Sequence, residues 1–193
     1  MKTLVFASSN KGKIAELQAL LGPEWLVKSA KDFPEIPEVD EDRDTFEGNA
    51  AKKAHTFAKA TGLWALADDS GLEVDALGGR PGVYSARYAP TEAERITKLL
   101  GELEGVPVER RTARFRCALC LAFPDGSERF TTGTCEGAIG FAPRGTHGFG
   151  YDPIFELPGG KTMSELTRDE KSALSHRGHA FRAMLPVLAT LHA

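Results

Sequence analysis

The stretch "TARFRCALCLAFPDGSERFTTGTCEGAIGFA", Thr112–Ala142, decides the fold class. Two long β-prone runs flank Asp125-Gly126, the dipeptide that most strongly marks a hairpin turn. Upstream, strand-like and helix-like segments alternate. "KTLVFA" reads as a buried strand, and a helix follows over Lys11–Leu21 with Ile14, Leu17, Leu20 and Leu21 at helical spacing. Early alternation followed by a long hairpin predicts a mixed α/β fold, not a pure doubly wound sheet.

Other segments complete the outline. "KDFPEIPEVDEDRD" carries two prolines and many acids, so it reads as an exposed loop. A helix is expected over Thr45–Thr61 with Gly62 as its stop. "LWALAD" reads as a short buried strand that ends at an acidic pair. Thr91 and Glu94 form a capping box for a helix reaching about Leu103. The last helix begins near Ser175 with Phe181, Met184, Leu185, Leu188 and Leu191 on one face, and Pro186 is expected to kink it.

Bulk properties exclude several classes. Among 193 residues, 41% are hydrophobic and 26% charged, which suits a globular domain and not a disordered chain. A net charge of -3 provides no general field for a nucleic acid polymer, so any anionic ligand needs a local cluster of Lys and Arg. No run approaches the roughly 18 apolar residues of a membrane span, and the N-terminal apolar run is too short for a signal peptide. Three cysteines fit a reduced cytoplasm. Cys117 and Cys120 form a C-x-x-C on a predicted strand, where residues three apart face opposite ways, so the pair reads as core and not as a shared metal site.

Five constellations could carry chemistry. In "VFASSNKGKIAEL" a strand gives way to small polar residues and a helix start, where N–H groups, Lys11 and Lys13 could receive phosphate; capping by Ser9 or Asn10 is the plainer alternative. "TFEGNAAKKA" can bring Asn49 and Lys53 to one helical face. In "ADDSG", Asp68 and Asp69 would repel and raise each other's pKa unless a cation sits nearby, and a hard divalent ion suits paired carboxylates and phosphate oxygens. Asp40 and Glu41 could add a ligand. "GTHGFGYDP" presents Phe149 and Tyr151 among glycines as a stacking surface for a base, and "RDEKSALSHRGHAFR" places Lys171, His176, Arg177 and His179 near a helix start. A phosphate cradle, an acidic pair, a glycine loop and a basic helix start together point to a nucleotide with a metal ion.

These blocks, with "ADDSGLEVDALGGRPGVYSARYA", "GFGYDPIF" and "EKSALSHRGHA", resemble the inosine/xanthosine triphosphate pyrophosphatases, the HAM1/RdgB-like family, from Leu4 to about Ala180. The resemblance implies a single pyrophosphatase domain over 1–193, with an elongated mixed sheet flanked by helices and a site in a cleft between two lobes. It implies Mg²⁺-dependent hydrolysis of the purine nucleoside triphosphates ITP, dITP and XTP to the monophosphate and pyrophosphate, by a homodimer. It assigns Ser8, Ser9, Asn10, Lys11, Gly12 and Lys13 to a phosphate-binding turn, and Asp69 to general base and metal ligand with Ser70 on the substrate. Lys53 falls near the phosphates, and Phe149, Gly150, Tyr151 and Asp152 form a base-binding loop. Lys171, His176 and Arg177 are the remaining substrate contacts, and Glu41 or its neighbour Asp40 a further metal ligand; the paired carboxylates themselves make Asp68 another candidate ligand. Departures are few: Ser8-Ser9-Asn10 replaces Thr-Gly-Asn, Gly48 stands where many members carry Glu and should weaken its helix by ~1 kcal/mol, and His147 is unusual. Two alternatives stand beside this reading: a Maf-type pyrophosphatase for modified pyrimidine triphosphates, and a catalytically idle nucleotide-binding module.

Overall fold

The hairpin at the centre of the sequence forms two adjoining strands of a six-stranded mixed sheet. The computed structural model of the chain describes residues 1–191. Its strands are β1 (Lys2–Phe6), β2 (Trp25–Ser29), β3 (Trp64–Val74), β4 (Thr112–Ala122), β5 (Glu128–Ile139) and β6 (Phe155–Glu156), in the order β2-β1-β3-β4-β5-β6. β1 pairs in parallel with β2 and β3, and β5 pairs antiparallel with β6. The helices are α1 (Lys11–Leu21), α2 (Phe46–Thr61), α3 (Glu92–Glu102), α4 (Arg168–Leu174) and α5 (His176–Ala189). No helix among the described residues is long and apolar enough to cross a membrane.

Two compact units emerge. The first comprises Met1–Asp69, Cys117–Gly133 and Ala180–Ala193; the second comprises Ser70–Arg116 and Thr134–His179. In the first unit the sheet is clothed on both faces. Leu4, Phe6 and Leu66 pack with Leu17 of α1 and with Phe181, Met184 and Leu188 of α5. Val5, Ala65 and Ala67 pack instead with Ala50, Ala54, Phe57 and Ala58 of α2. Adjacent strand residues therefore look to different helices, as a period of two requires. Cys117 joins the first of these clusters and Cys120 the second, so the C-x-x-C thiols do face apart. The second unit has its own core, built on Leu72, Val74, Leu99, Leu103, Phe115, Ile139 and Phe155.

Several expected elements form where the sequence places them. α1 spans Lys11–Leu21, α2 ends on left-handed Gly62, and α3 carries the Thr91/Glu94 capping box. The hairpin turn closes with Phe123 N–H on the Ser127 carbonyl at 2.9 Å. Others are corrected. β3 runs for 11 residues straight through Asp68-Asp69-Ser70-Gly71 instead of stopping there. On the expected apolar face of α5, Leu185 is only half-buried. β2 and the seven-residue α4 form where no separate element was expected. Gly48 is the third residue of α2, and a Cβ there would stand 2.9 Å from the Arg43 Cβ, so the glycine also makes room for the preceding loop.

Candidate active site

The acidic pair sits where β3 passes between two helices in the first unit. Asp68 is 2% exposed and Asp69 7%, levels rarely reached by carboxylates without partners. Because successive strand side chains point to opposite faces, the two acids do not confront one another. Asp68 lies on the α1 face and receives Lys13 Nζ at 2.7 Å. Asp69 lies on the α2 face and receives the side-chain amide of Asn49 at 2.9 Å. The charge problem posed by adjacent aspartates is met in the first instance by strand geometry, and only then by cations.

Asn49 and Lys53, one helical turn apart on α2, serve this face together. Asn49 is fully buried, and its Oδ1 accepts the Arg43 N–H at 2.9 Å, which fixes the amide for donation to Asp69. Lys53 Nζ bridges Glu41 Oε1 at 2.5 Å and the Asp68 carbonyl at 2.6 Å. Burial alone would lower the Lys53 pKa. The charges of Asp68 and Glu41, the hydrogen bond to Glu41 and the charge of Asp69 outweigh it and hold the ammonium above its ordinary value. Lys52 leaves this cluster for the Asp40 carbonyl and the Asp42 carboxylate, each at 2.9 Å. Glu41 is thus drawn toward Lys53, whereas Asp40 meets Lys52 through its backbone.

The turn after β1 is built by Asn10. Its Oδ1 caps α1 by accepting the Gly12 and Lys13 N–H groups at 2.9 and 3.1 Å, and Ser8 Oγ accepts the Asn10 N–H at 3.2 Å. Ser9, Asn10, Lys11 and Gly12 are exposed, and Ser8 and Lys13 are half-buried. Asn10 rather than Ser9 is therefore the cap, and Lys13 extends from the capped turn to Asp68.

In the second unit the glycine loop is organised by Asp152. This carboxylate is 4% exposed, accepts the Phe149 N–H at 2.8 Å, and is ion-paired with Lys171 of α4. Gly148, at φ 84°, brings the chain so close to Asp152 that a Cβ would collide with the carboxylate. The result is an exposed ring: Phe149 is 55% accessible, with Lys171 Nζ 4.7 Å from its centroid. Tyr151 takes the opposite course. It is buried in the core, donates to the Ser85 carbonyl at 2.9 Å, and has its pKa pushed up by burial. Of the two loop aromatics, Phe149 alone is presented to solvent. His176 is buried and stacked on Phe115 with centroids 5.0 Å apart, while Arg177 beside it is half-buried in the first turn of α5. Gly150 is left-handed at φ 64°, Ser70 is half-buried on β3, and His147 is exposed with its N–H on the Ser164 carbonyl at 3.0 Å.

The first unit therefore gathers Lys13, Asn49, Lys53, Glu41, Asp68 and Asp69, and the second gathers Phe149, Asp152 and Lys171. Asn49, expected beside Lys53 on one helical face, is absent from the residues that the resemblance assigns to the site, yet it holds Asp69. Its four-residue spacing from Lys53 was the available signal, but nothing in the sequence reveals that its amide meets Asp69.

An α/β protein with a capped basic turn and a lysine-braced aspartate pair belongs to the phosphate-handling enzymes in chemical character. The Ham1 family model matches residues 4–187, and the chain belongs to that family. A dITP/XTP pyrophosphatase of Shouchella clausii is 52% identical over 188 residues, covering 95% of each chain. A dITP/XTP pyrophosphatase of Geobacter sulfurreducens is 54% identical over 185 residues, covering 93% of each. Among solved structures, a HAM1 protein from Coxiella burnetii superposes with a TM-score of 0.93 at 43% identity, over 99% of this chain and 100% of that one. This membership favours neither the Maf-type alternative nor an idle module.

Proposed function

We propose that this chain hydrolyses non-canonical purine nucleoside triphosphates, namely ITP, dITP and XTP, to the monophosphate and pyrophosphate. The names of relatives that match nearly its whole length support this reading. The observation that carries the chemistry is Asp69, buried, held by Asn49, and one residue from an Asp68–Lys13 ion pair. In this mechanism Asp69 orients a water and takes its proton as the water oxygen bonds to the α-phosphorus. The bond from that phosphorus to the bridging oxygen breaks, and pyrophosphate leaves. Lys13 and Lys53 stabilise charge on the phosphate oxygens.

The exposed Phe149 ring stacks the base, while Asp152 and Lys171 hold the loop that presents it. Donors near the base, from Arg177, His176 or backbone N–H groups, match a 6-oxo purine. Adenine's 6-amino group would leave such donors unpaired, a mismatch worth roughly 10⁴-fold in comparable sites. Asp69 and Glu41, the carboxylates held by Asn49 and Lys53 of α2, are the hard oxygen donors that would hold Mg²⁺, which when bound would neutralise charge on the triphosphate; Asp68, on the other face of β3, is taken by Lys13. A cytoplasmic homodimer belongs to the same proposal, and light scattering gives its mass.

The test supplies ITP, XTP, GTP, ATP and TTP with Mg²⁺ and identifies the products. Pyrophosphate with IMP or XMP is expected; orthophosphate with a diphosphate would overturn the bond assignment. Chelation should abolish turnover and Mg²⁺ restore it. Asp69→Asn should cost roughly 10²–10⁴-fold in kcat with the fold intact, and a fully active variant would remove Asp69 from its role.

A further inference from the structure

A second group of donors lies in the first unit. His55 of α2, Cys120 of β4 and Glu128 of β5 bring their ligand atoms within 4.8 Å of one another. His55 Nε2 stands 2.7 Å from Glu128 Oε2, and Cys120 Sγ stands 3.8 Å from the same oxygen. The reaction assigned to the chain uses none of the three.

The three residues differ in accessibility in a way that makes a half-open socket. Cys120 is wholly buried, whereas the side chains of His55 and Glu128 are 36% and 39% exposed. The sulfur forms the inner wall, and the imidazole and carboxylate form a rim that an ion can reach from water. All three stand on regular elements, so their backbone positions are fixed by the helix and by the hairpin whose turn closes at Ser127. C-x-x-C spacing on one strand would have sent two thiols to opposite faces; here one thiol meets partners from two other elements on its own face.

We propose that His55, Cys120 and Glu128 form a binding site for a borderline-soft divalent cation of the Zn²⁺ class. One sulfur, one imidazole nitrogen and one carboxylate oxygen are a donor set that such ions take in tetrahedral geometry, with water in the fourth position. Mg²⁺ avoids thiolate, so the donor chemistry separates this site from the carboxylates proposed to serve the hydrolysis. Charge also closes: a thiolate and a carboxylate balance the dication, with the imidazole neutral. On binding, the thiol proton goes to solvent as the sulfur–metal bond forms, and uptake releases acid.

The experiment uses the full-length chain, stripped with chelator and titrated with Co²⁺ as a spectroscopic stand-in for Zn²⁺. One equivalent should produce a near-ultraviolet thiolate-to-cobalt band, bleached by Zn²⁺ and untouched by excess Mg²⁺. Cys120→Ser should abolish the band, His55→Gln should weaken binding at least tenfold, and Cys135→Ser should leave it unchanged. His55 is partly exposed, so His55→Gln tests the site without opening the core. Absence of the band from the wild-type chain overturns the proposal, as does its persistence in Cys120→Ser or undiminished affinity in His55→Gln.

Discussion

Asn49 shows what a single buried amide does for a reactive carboxylate. With its oxygen held by the Arg43 N–H and its nitrogen on Asp69, the amide has one orientation, and Asp69 inherits it. Asn49→Ala should cost about 1–3 kcal/mol, because a buried carboxylate loses a donor, and kcat should fall about 10²-fold with a smaller change in KM. Urea denaturation and steady-state kinetics on dITP check the two parts; unchanged kcat would make Asn49 merely structural. Lys53 supplies the pH argument. Its folded pKa is raised above the ordinary 10.5, so the fold binds that proton more tightly than the unfolded chain does. The resulting stability is fully present at neutral pH and is lost as pH rises past 10.5 and through the folded value. The urea-midpoint difference between wild type and Lys53→Met should therefore shrink between about pH 8 and about pH 11. A gap that widened with pH would reverse the sign assigned here.

At the scale of elements, legibility followed length and periodicity. α1, α2, α3 and the β4–β5 hairpin are long, capped or turn-marked, and their signals agree at every level. β3 was misread because Asp, Ser and Gly are depleted in strands, so Asp68-Asp69-Ser70-Gly71 reads locally as a turn. Tertiary context keeps the strand going, with Leu72 and Val74 buried beyond the acids. β2 is a five-residue strand at the sheet edge with Leu26 39% exposed, so its pattern has no clean alternation. α4, at seven residues, is too short for helical periodicity to register. β6 depends on a glycine the pattern did not explain. Gly137 of β5 passes so close to β6 that a Cβ would overlap the Glu156 carbonyl and lie 2.7 Å from the Phe155 ring. Gly137→Ala should therefore destabilise the chain by about 1–3 kcal/mol through overpacking. Equilibrium unfolding measures this, and a neutral result would mean that β6 yields at no cost.

For the whole molecule, residue types were legible where pairings were not. Lys13, Lys53, Asp68 and Asp69 all stand out as candidates in the sequence, yet which lysine meets which acid depends on strand alternation and on the two helices that cover β3. Tyr151 and Phe149 look alike in a glycine loop; only the packed core distinguishes a buried ring from an exposed one. The reading of the chain as a 6-oxo purine triphosphatase has a thermodynamic consequence that does not require catalysis. A ligand that binds only the folded state stabilises it by RT ln(1 + [L]/Kd), about 2.7 kcal/mol at one hundred times Kd. In Asp69→Asn, where substrate should persist, dITP with Mg²⁺ at that concentration should raise Tm by roughly 5–10 °C for a chain of this size. ATP at the same concentration, bound about 10⁴-fold more weakly, would stand near one-hundredth of its own Kd and should leave Tm unmoved. Differential scanning calorimetry separates the outcomes. Equal shifts with dITP and ATP would show that the fold recognises triphosphate without reading the base, and the role given to the Phe149 loop would then have to be withdrawn.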